Sequence, residues 1–223
     1  MSTDLPRRLD GCVDGRVAVI TGANRGVGRG LALAFAAAGA RVVVTARDLN
    51  AGRVVAEEIV ARGGEARCAP CDVTVRADVD AAIDSAVSWY GGVDVMVHNA
   101  VSVRSSEPHE LAHTAVDVWD EHVAVSVRGA YRCAVAVYPH LRDRAGAFLL
   151  LTSPAGINGS ATLPFYAGVK GAQRAFVKSL AREWGPDGVR VNGLAPLAAT
   201  PALERAFAAD PAMRDRLGAI VPL

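Results

Sequence analysis

The sequence predicts an α/β domain, a doubly wound parallel sheet of about six strands with helices on both faces. Three observations predict it. Short apolar runs alternate with stretches of helical periodicity along the chain. The runs are nearly continuous in apolar, often β-branched residues, as in strands that helices cover on both sides. The first run opens directly into a glycine-rich turn, TGANRGVG at residues 21–28.

Residues 16–21 (RVAVIT) are the first predicted strand, and residues 31–39 a helix that Gly39 ends. Residues 41–46 (RVVVTA) form the second strand. A helix over 51–63 stops at the Gly63-Gly64 pair. The third strand covers 66–71, and a helix over 76–90 ends at Gly91-Gly92. Residues 93–98 (VDVMVH) make the fourth strand. Apolar residues at helical spacing then predict one long helix over 114–141. The fifth strand is 147–152 (AFLLLT), followed by a helix over 164–184 that Gly185-Pro186 breaks. The sixth strand is 189–194, and residues 200–217 read as one or two short helices. Strand–helix alternation at this spacing implies right-handed βαβ units. No linker, repeat or low-complexity tract divides the 223 residues, so one domain over 1–223 is expected. Residues 1–15 are read as an N-terminal extension and 197–223 as a substrate-lid region.

Composition narrows the function class. The chain is 51% hydrophobic and 21% charged, with a formal net charge of +1. That balance carries no electrostatic footprint for nucleic acid or an anionic membrane. The longest apolar runs, such as residues 31–38, are too short to span a bilayer. The N-terminal stretch, with Arg7 and Arg8, has no apolar core of signal-peptide length. A cytoplasmic protein acting on a small molecule is expected. Cys68 and Cys71 form a C-x-x-C, but a closed zinc site needs two more ligands and none follow at a suitable spacing. No metal centre is expected. Of 24 basic residues only Lys170 and Lys178 are lysine, so a lysine in this chain carries information.

The turn after the first strand is suited to a dinucleotide. Gly22, Gly26 and Gly28 let the backbone turn tightly and approach a pyrophosphate. The helix that follows offers unpaired N–H groups and the positive end of its dipole to that anion. An acidic residue ending the second strand would hold a ribose 2′-hydroxyl and repel a 2′-phosphate. Ala46 and Arg47 stand there instead, and Arg25 lies inside the loop. Two guanidinium groups suit a phosphate dianion, which favours NADP(H) over NAD(H). Asp48 follows one residue later as a potential competitor.

Tyr166 and Lys170 are four residues apart at the start of a predicted helix and share one face. An ammonium beside the phenol favours phenolate and lowers the Tyr pKa from about 10, preparing it for general acid–base work. Ser153 ends the fifth strand, 13 residues before Tyr166. Strand ends and helix starts meet at one edge of such a sheet, so both can face one pocket.

With these residues in hand, the chain resembles the short-chain dehydrogenase/reductase (SDR) family in its single-domain Rossmann form. The matching motifs are TGANRGVG, CDVT at 71–74, HNA at 98–100, Ser153, YAGVK at 166–170 and VRVNGLAP at 189–196, in family order over nearly the whole chain. The resemblance implies that Gly22, Gly26 and Gly28, with Asn24, Arg25 and Val27, form the dinucleotide loop. Arg47 would meet the adenosine phosphate, and Asp72 and Val73 would flank the adenine. Asn99 and Ala100 would support the cofactor on the fourth strand, Pro196 would also contact the cofactor, and Thr200 would hydrogen-bond the nicotinamide carboxamide. Tyr166 would exchange a proton with substrate oxygen, Lys170 would hold the nicotinamide ribose, and Ser153 would hydrogen-bond the substrate. The implied activity is hydride transfer between NADP(H) and a small to medium ketone or secondary alcohol. A homodimer or homotetramer through the helices of 114–141 and 164–184 is also implied.

The chain departs from the family pattern in four places. Val101 replaces a glycine after HNA, narrowing the space near the nicotinamide. Ser126 stands where the family carries an Asn that completes a water-mediated proton relay to the Lys. Leu197 follows Pro196 where a glycine is usual. The chain stops at Leu223, where relatives continue through another helix and a seventh strand, so a six-stranded sheet is expected. These departures motivate a rival reading, an NADP(H)-binding regulatory protein without catalysis. A dehydratase or epimerase on the same fold is a third.

Overall fold

The computed structural model describes residues 12–196 and a few scattered positions between 203 and 218. Six strands form one sheet: β1 (Val17–Thr21), β2 (Arg41–Ala46), β3 (Glu65–Pro70), β4 (Val95–His98), β5 (Ala147–Leu151) and β6 (Arg190–Leu194). Every pairing is parallel and the order is β3-β2-β1-β4-β5-β6. The order reverses between β1 and β4, which opens a crevice at their carboxyl ends.

The strands bury both faces because alternate residues enter different cores. Val17, Val19, Val43, Met96, Phe148 and Leu150 face one core. That core is completed by α3 (Arg76–Tyr90), α5 (Gly129–Asp143) and α7 (Pro164–Trp184). Ala18, Ile20, Val42, Val44, Val97 and Leu151 face the other, with α1 (Gly26–Ala37) and α2 (Leu49–Ala61). At the amino ends of the strands, the buried Asp94 carboxylate accepts from the Val17 amide at 2.8 Å and from Arg16 at 2.9 Å. Burial pushes this carboxyl up, but the Val17 amide and the Arg16 and Arg144 guanidinium groups more than offset it, and its pKa falls below the ordinary value.

Two helices have the bounds their end signals predict. Gly91 adopts a left-handed conformation (φ 81°) that stops α3, and Pro164 takes the first position of α7, where its missing N–H costs nothing. Three features differ from expectation. α1 begins at Gly26, inside the glycine turn, five residues before the apolar periodicity becomes readable. The helix expected over 114–141 is interrupted: α4 (Val116–His122) runs into a π-helical segment, Val123–Arg128, before α5 begins. Such wider turns insert where a local side-chain or backbone requirement outweighs regular hydrogen bonding. Finally, β3 and β6 are the edges among the described strands; β3 alternates exposed with more buried residues and β6 buries only Val191, instead of being buried throughout. A short helix, α6 (Ala155–Asn158), fills the loop after β5. Among the described residues no helix is long and apolar enough to cross a membrane.

Candidate active site

The crevice at the carboxyl ends of β1, β4 and β5 gathers most of the residues singled out in the sequence. Its floor is the turn from β1 into α1. Gly22 and Gly26 take left-handed conformations, with φ of 62° and 54°. That region is costly for residues with a Cβ and open to glycine. Gly28 is required by packing instead: a Cβ there would lie 2.5 Å from Asn99 Nδ2 and closer still to the Gly22 carbonyl oxygen. Asn99 stitches β4 to the turn, its Nδ2 donating to Thr21 O at 2.9 Å and Gly22 O at 3.1 Å. The Thr21 hydroxyl accepts from the Asn99 and Ala100 amides at 3.0 and 3.1 Å. The sequence reading passed over this role of Thr21, although the residue belongs to the motif it quoted.

The first turn of α1 has no acidic side chain, and its N-cap, Arg25, makes no side-chain cap bond. The helix therefore presents orphan N–H groups and its positive end to the crevice. A backbone forced into left-handed turns below a free helix N-terminus fits a dinucleotide pyrophosphate. Arg25 and Arg47 are exposed, and neither forms an ion pair with a described residue. Arg29, by contrast, is held by Glu58 in a forked pair at 2.5–2.9 Å. Asp48, the potential competitor beside Arg47, caps α2 by accepting from the Ala51 amide at 3.0 Å. Asp72 accepts from the Thr74 amide and hydroxyl at 2.8 and 2.7 Å, which orients the loop after β3, and Val73 is buried beside Gly129. Asn24 and Val27 are half-buried in the turn, and Pro196 is exposed after β6. Thr200 lies outside the described residues.

Ser153, at the end of β5, faces the Tyr166 phenol on the first turn of α7. Burial raises the Tyr166 pKa above its ordinary value, and the Ser153 hydroxyl works against that rise. The expected net fall of the Tyr166 pKa is corrected here: burial is the larger influence and the shift is upward. Lys170 Nζ lies 5.5 Å from the centre of the Tyr166 ring. The ammonium instead donates to Leu151 O and, at 3.0 Å, to Gln173 Oε1. Lys170 is only 2% exposed, and burial pulls its pKa down to about 7.

Ser126 enters this cluster through its main chain. It sits within the π-helical segment, and its carbonyl accepts from Gln173 Nε2 at 2.8 Å. Gln173 is 1% exposed and was not anticipated, although a carboxamide three residues after Lys170 on a buried helix face was there to be seen. His98, at the end of β4, is fully buried; burial and then Lys170 push its pKa down to about 3, so it packs as a neutral ring. Val101, after β4, is 37% exposed, and Ile157, in α6 after β5, is 61% exposed. Cys71, beyond β3, is buried and its thiol is pushed up to about 12, first by burial and then by Asp78 and Asp72. Among the described residues no group of His, Cys, Asp or Glu is arranged to hold a metal ion.

Comparison with known proteins identifies the family and the fold. The family described as short chain dehydrogenase matches residues 16–211. The short-chain reductase protein NovJ of Streptomyces niveus is 38% identical over 204 residues, covering 91% of this chain and 74% of the relative. A 3-ketoacyl-(acyl-carrier-protein) reductase from Brucella melitensis, solved in complex with NADH, superposes with a TM-score of 0.80 at 35% identity, over 86% of this chain and 80% of that one. A 7α-hydroxysteroid dehydrogenase, solved with NADH and 7-oxo glycochenodeoxycholic acid, superposes at 0.81 with 33% identity, over 88% and 76%.

Proposed function

The chain belongs to the short chain dehydrogenase family, NAD(P)-dependent oxidoreductases acting on CH–OH groups, and from that premise we propose that it moves a hydride between NADP(H) and a small to medium ketone or secondary alcohol, with Tyr166 as general acid and base. The observation that carries this reading is the meeting of Ser153, Tyr166 and Lys170 at the carboxyl ends of the strands, beside the glycine turn. The bound nicotinamide supplies the hydride in reduction and accepts it in oxidation.

The protein's own groups do the rest. The turn at Gly22, Gly26 and Gly28 and the N-terminus of α1 hold the pyrophosphate. Arg25 and Arg47 receive the 2′-phosphate, and the engagement of Asp48 as a helix cap supports NADP(H) over NAD(H), because that carboxylate is already in use. In reduction, the Ser153 and Tyr166 hydroxyls donate to the substrate carbonyl oxygen, and the Tyr166 proton moves to that oxygen as negative charge develops on it. The Lys170 ammonium stabilises the phenolate left behind. Burial brings the Lys170 pKa down to about 7, so the pair responds to pH near neutrality.

The reading extends to the surroundings of the site. Val101 and Ile157 give the substrate an apolar approach within a single domain. Exposed Val116, Tyr131 and Val135 on α4 and α5 support self-association through those helices and α7. Free buried thiols at Cys71 and Cys133 suit a reducing compartment such as the cytoplasm.

The deciding experiment is Tyr166→Phe, assayed against a panel of ketones and secondary alcohols while NADPH binding is followed by fluorescence. Turnover falls by at least about a hundredfold and the Kd for NADPH stays within about twofold. Undiminished turnover overturns the mechanism. Binding by the wild type without turnover on any substrate favours a non-catalytic NADP(H) sensor.

A further inference from the structure

Lys170 is buried, and its hydrogen-bond partners are one main-chain carbonyl and one side-chain carboxamide. Leu151 O comes from β5, and the Ser126 carbonyl from the π-helical segment lies one carboxamide further away. Between them stands Gln173, one turn along α7 from Lys170. Its Oε1 accepts from Lys170 Nζ at 3.0 Å, and its Nε2 donates to Ser126 O at 2.8 Å. Both ends of the amide are satisfied, and the side chain is 1% exposed. An amide placed this way fills the space in which water would otherwise connect the ammonium to the carbonyl.

We propose that Gln173 is a positioning residue for proton transfer, a built-in bridge that joins Lys170 to the Ser126 carbonyl and holds the ammonium beside Tyr166. The proposal rests on the reading of Tyr166 and Lys170 given above.

Two consequences follow from chemistry alone. A carboxamide oxygen hydrogen-bonded to the ammonium favours the charged form, opposing burial. A carboxamide also has no proton to give up near neutral pH, so unlike water it positions without relaying. The proton that Tyr166 delivers is therefore replenished from the crevice side and not through Ser126. Few other groups interfere. The titratable side chains facing Lys170 are Tyr166 on its own helix and His98 on β4, and His98 stays neutral at any pH well above 3. From β5 it meets the Leu151 carbonyl, and its link to the π-helical segment runs through Gln173 to the Ser126 carbonyl.

The test uses Gln173→Met, which keeps volume and removes both hydrogen bonds, and Gln173→Glu, which turns the neutral acceptor into a carboxylate and removes the donor. Lys170 is titrated by NMR of 13C-labelled lysine, where Lys178 gives the one other lysine signal. In Gln173→Met the ammonium loses an acceptor and the Lys170 pKa falls by about one unit; in Gln173→Glu the carboxylate holds the proton and the pKa rises by about as much. In Gln173→Met kcat near neutral pH falls about tenfold while KM stays within about twofold. If the Met variant does not fold, the near-isosteric Glu variant decides. A folded variant whose Lys170 titration coincides with wild type, whatever its melting temperature, overturns the proposal. The titration needs no turnover, so it separates failure of this proposal from failure of the functional reading, which the Tyr166→Phe assay decides.

Discussion

Asn99 and Gly28 are packed so closely that a Cβ on residue 28 would stand 2.5 Å from the Asn99 side-chain nitrogen. That nitrogen already bonds the carbonyls of Thr21 and Gly22, so the added carbon would have to push Asn99 off the turn. Gly28→Ala is expected to weaken NADPH binding by about tenfold or more and to lower the melting temperature, since overpacking a tight contact costs about 1–3 kcal/mol. Calorimetric titration checks the first and thermal unfolding the second. An alanine that binds NADPH as tightly as glycine does would remove the turn from the cofactor site.

Arg47 stands at the end of β2, free of ion pairs with described residues, while its neighbour Asp48 is occupied with the first turn of α2. Arg47→Glu replaces an attraction for a 2′-phosphate with a repulsion. The Kd for NADPH is expected to rise about tenfold or more, with the Kd for NADH changed by less than about threefold. Equal effects on both cofactors would assign Arg47 to the surface and reopen the choice of cofactor.

Lys170 links the site to stability. Its folded pKa, about 7, lies below the ordinary 10.5. Below 7 both folded and unfolded chains hold the proton, and the cost of the buried charge is fully present. Between 7 and 10.5 the unfolded chain binds more protons, so the contribution of this group makes stability rise with pH and level off above the unfolded value. Lys170→Met lacks that slope and loses turnover. Denaturant unfolding of both proteins across this range checks it: parallel pH profiles would mean that Lys170 stays charged throughout, held by Leu151 O and Gln173.

Much of this was legible in the sequence because it rests on local rules. The glycine turn declares itself by three glycines between a strand and a helix, and α3 and α7 announce their ends through Gly91 and Pro164. The alternation of elements was enough for the sheet. What stayed hidden depends on contacts between distant residues. The segment Val123–Arg128 continues the apolar periodicity of its neighbours, and nothing in its residues marks a wider turn. Lys170 was read as the partner of Tyr166 from its spacing, yet its hydrogen bonds go to β5 and to Gln173, and those acceptors are brought close only by the fold. The Tyr166 pKa is set first by burial, which a five-residue motif does not display. Residues 197–202, expected to begin the lid, lie outside the described residues.

The widened turn between α4 and α5 makes the chain's length there a matter of registry. Each residue of an α-helix advances about 100° around the axis. A residue in the wider, i→i+5 turn advances less than that, so the segment Val123–Arg128 takes up an extra residue without turning the helices on either side of it. Deleting one residue there would allow a regular helix in which Cys133, Ala134 and Val137 still face the core, whereas the same deletion inside α5 would swing the residues beyond it away. What the extra residue provides is the placement of the Ser126 carbonyl against Gln173, and that contact is what the deletion would break.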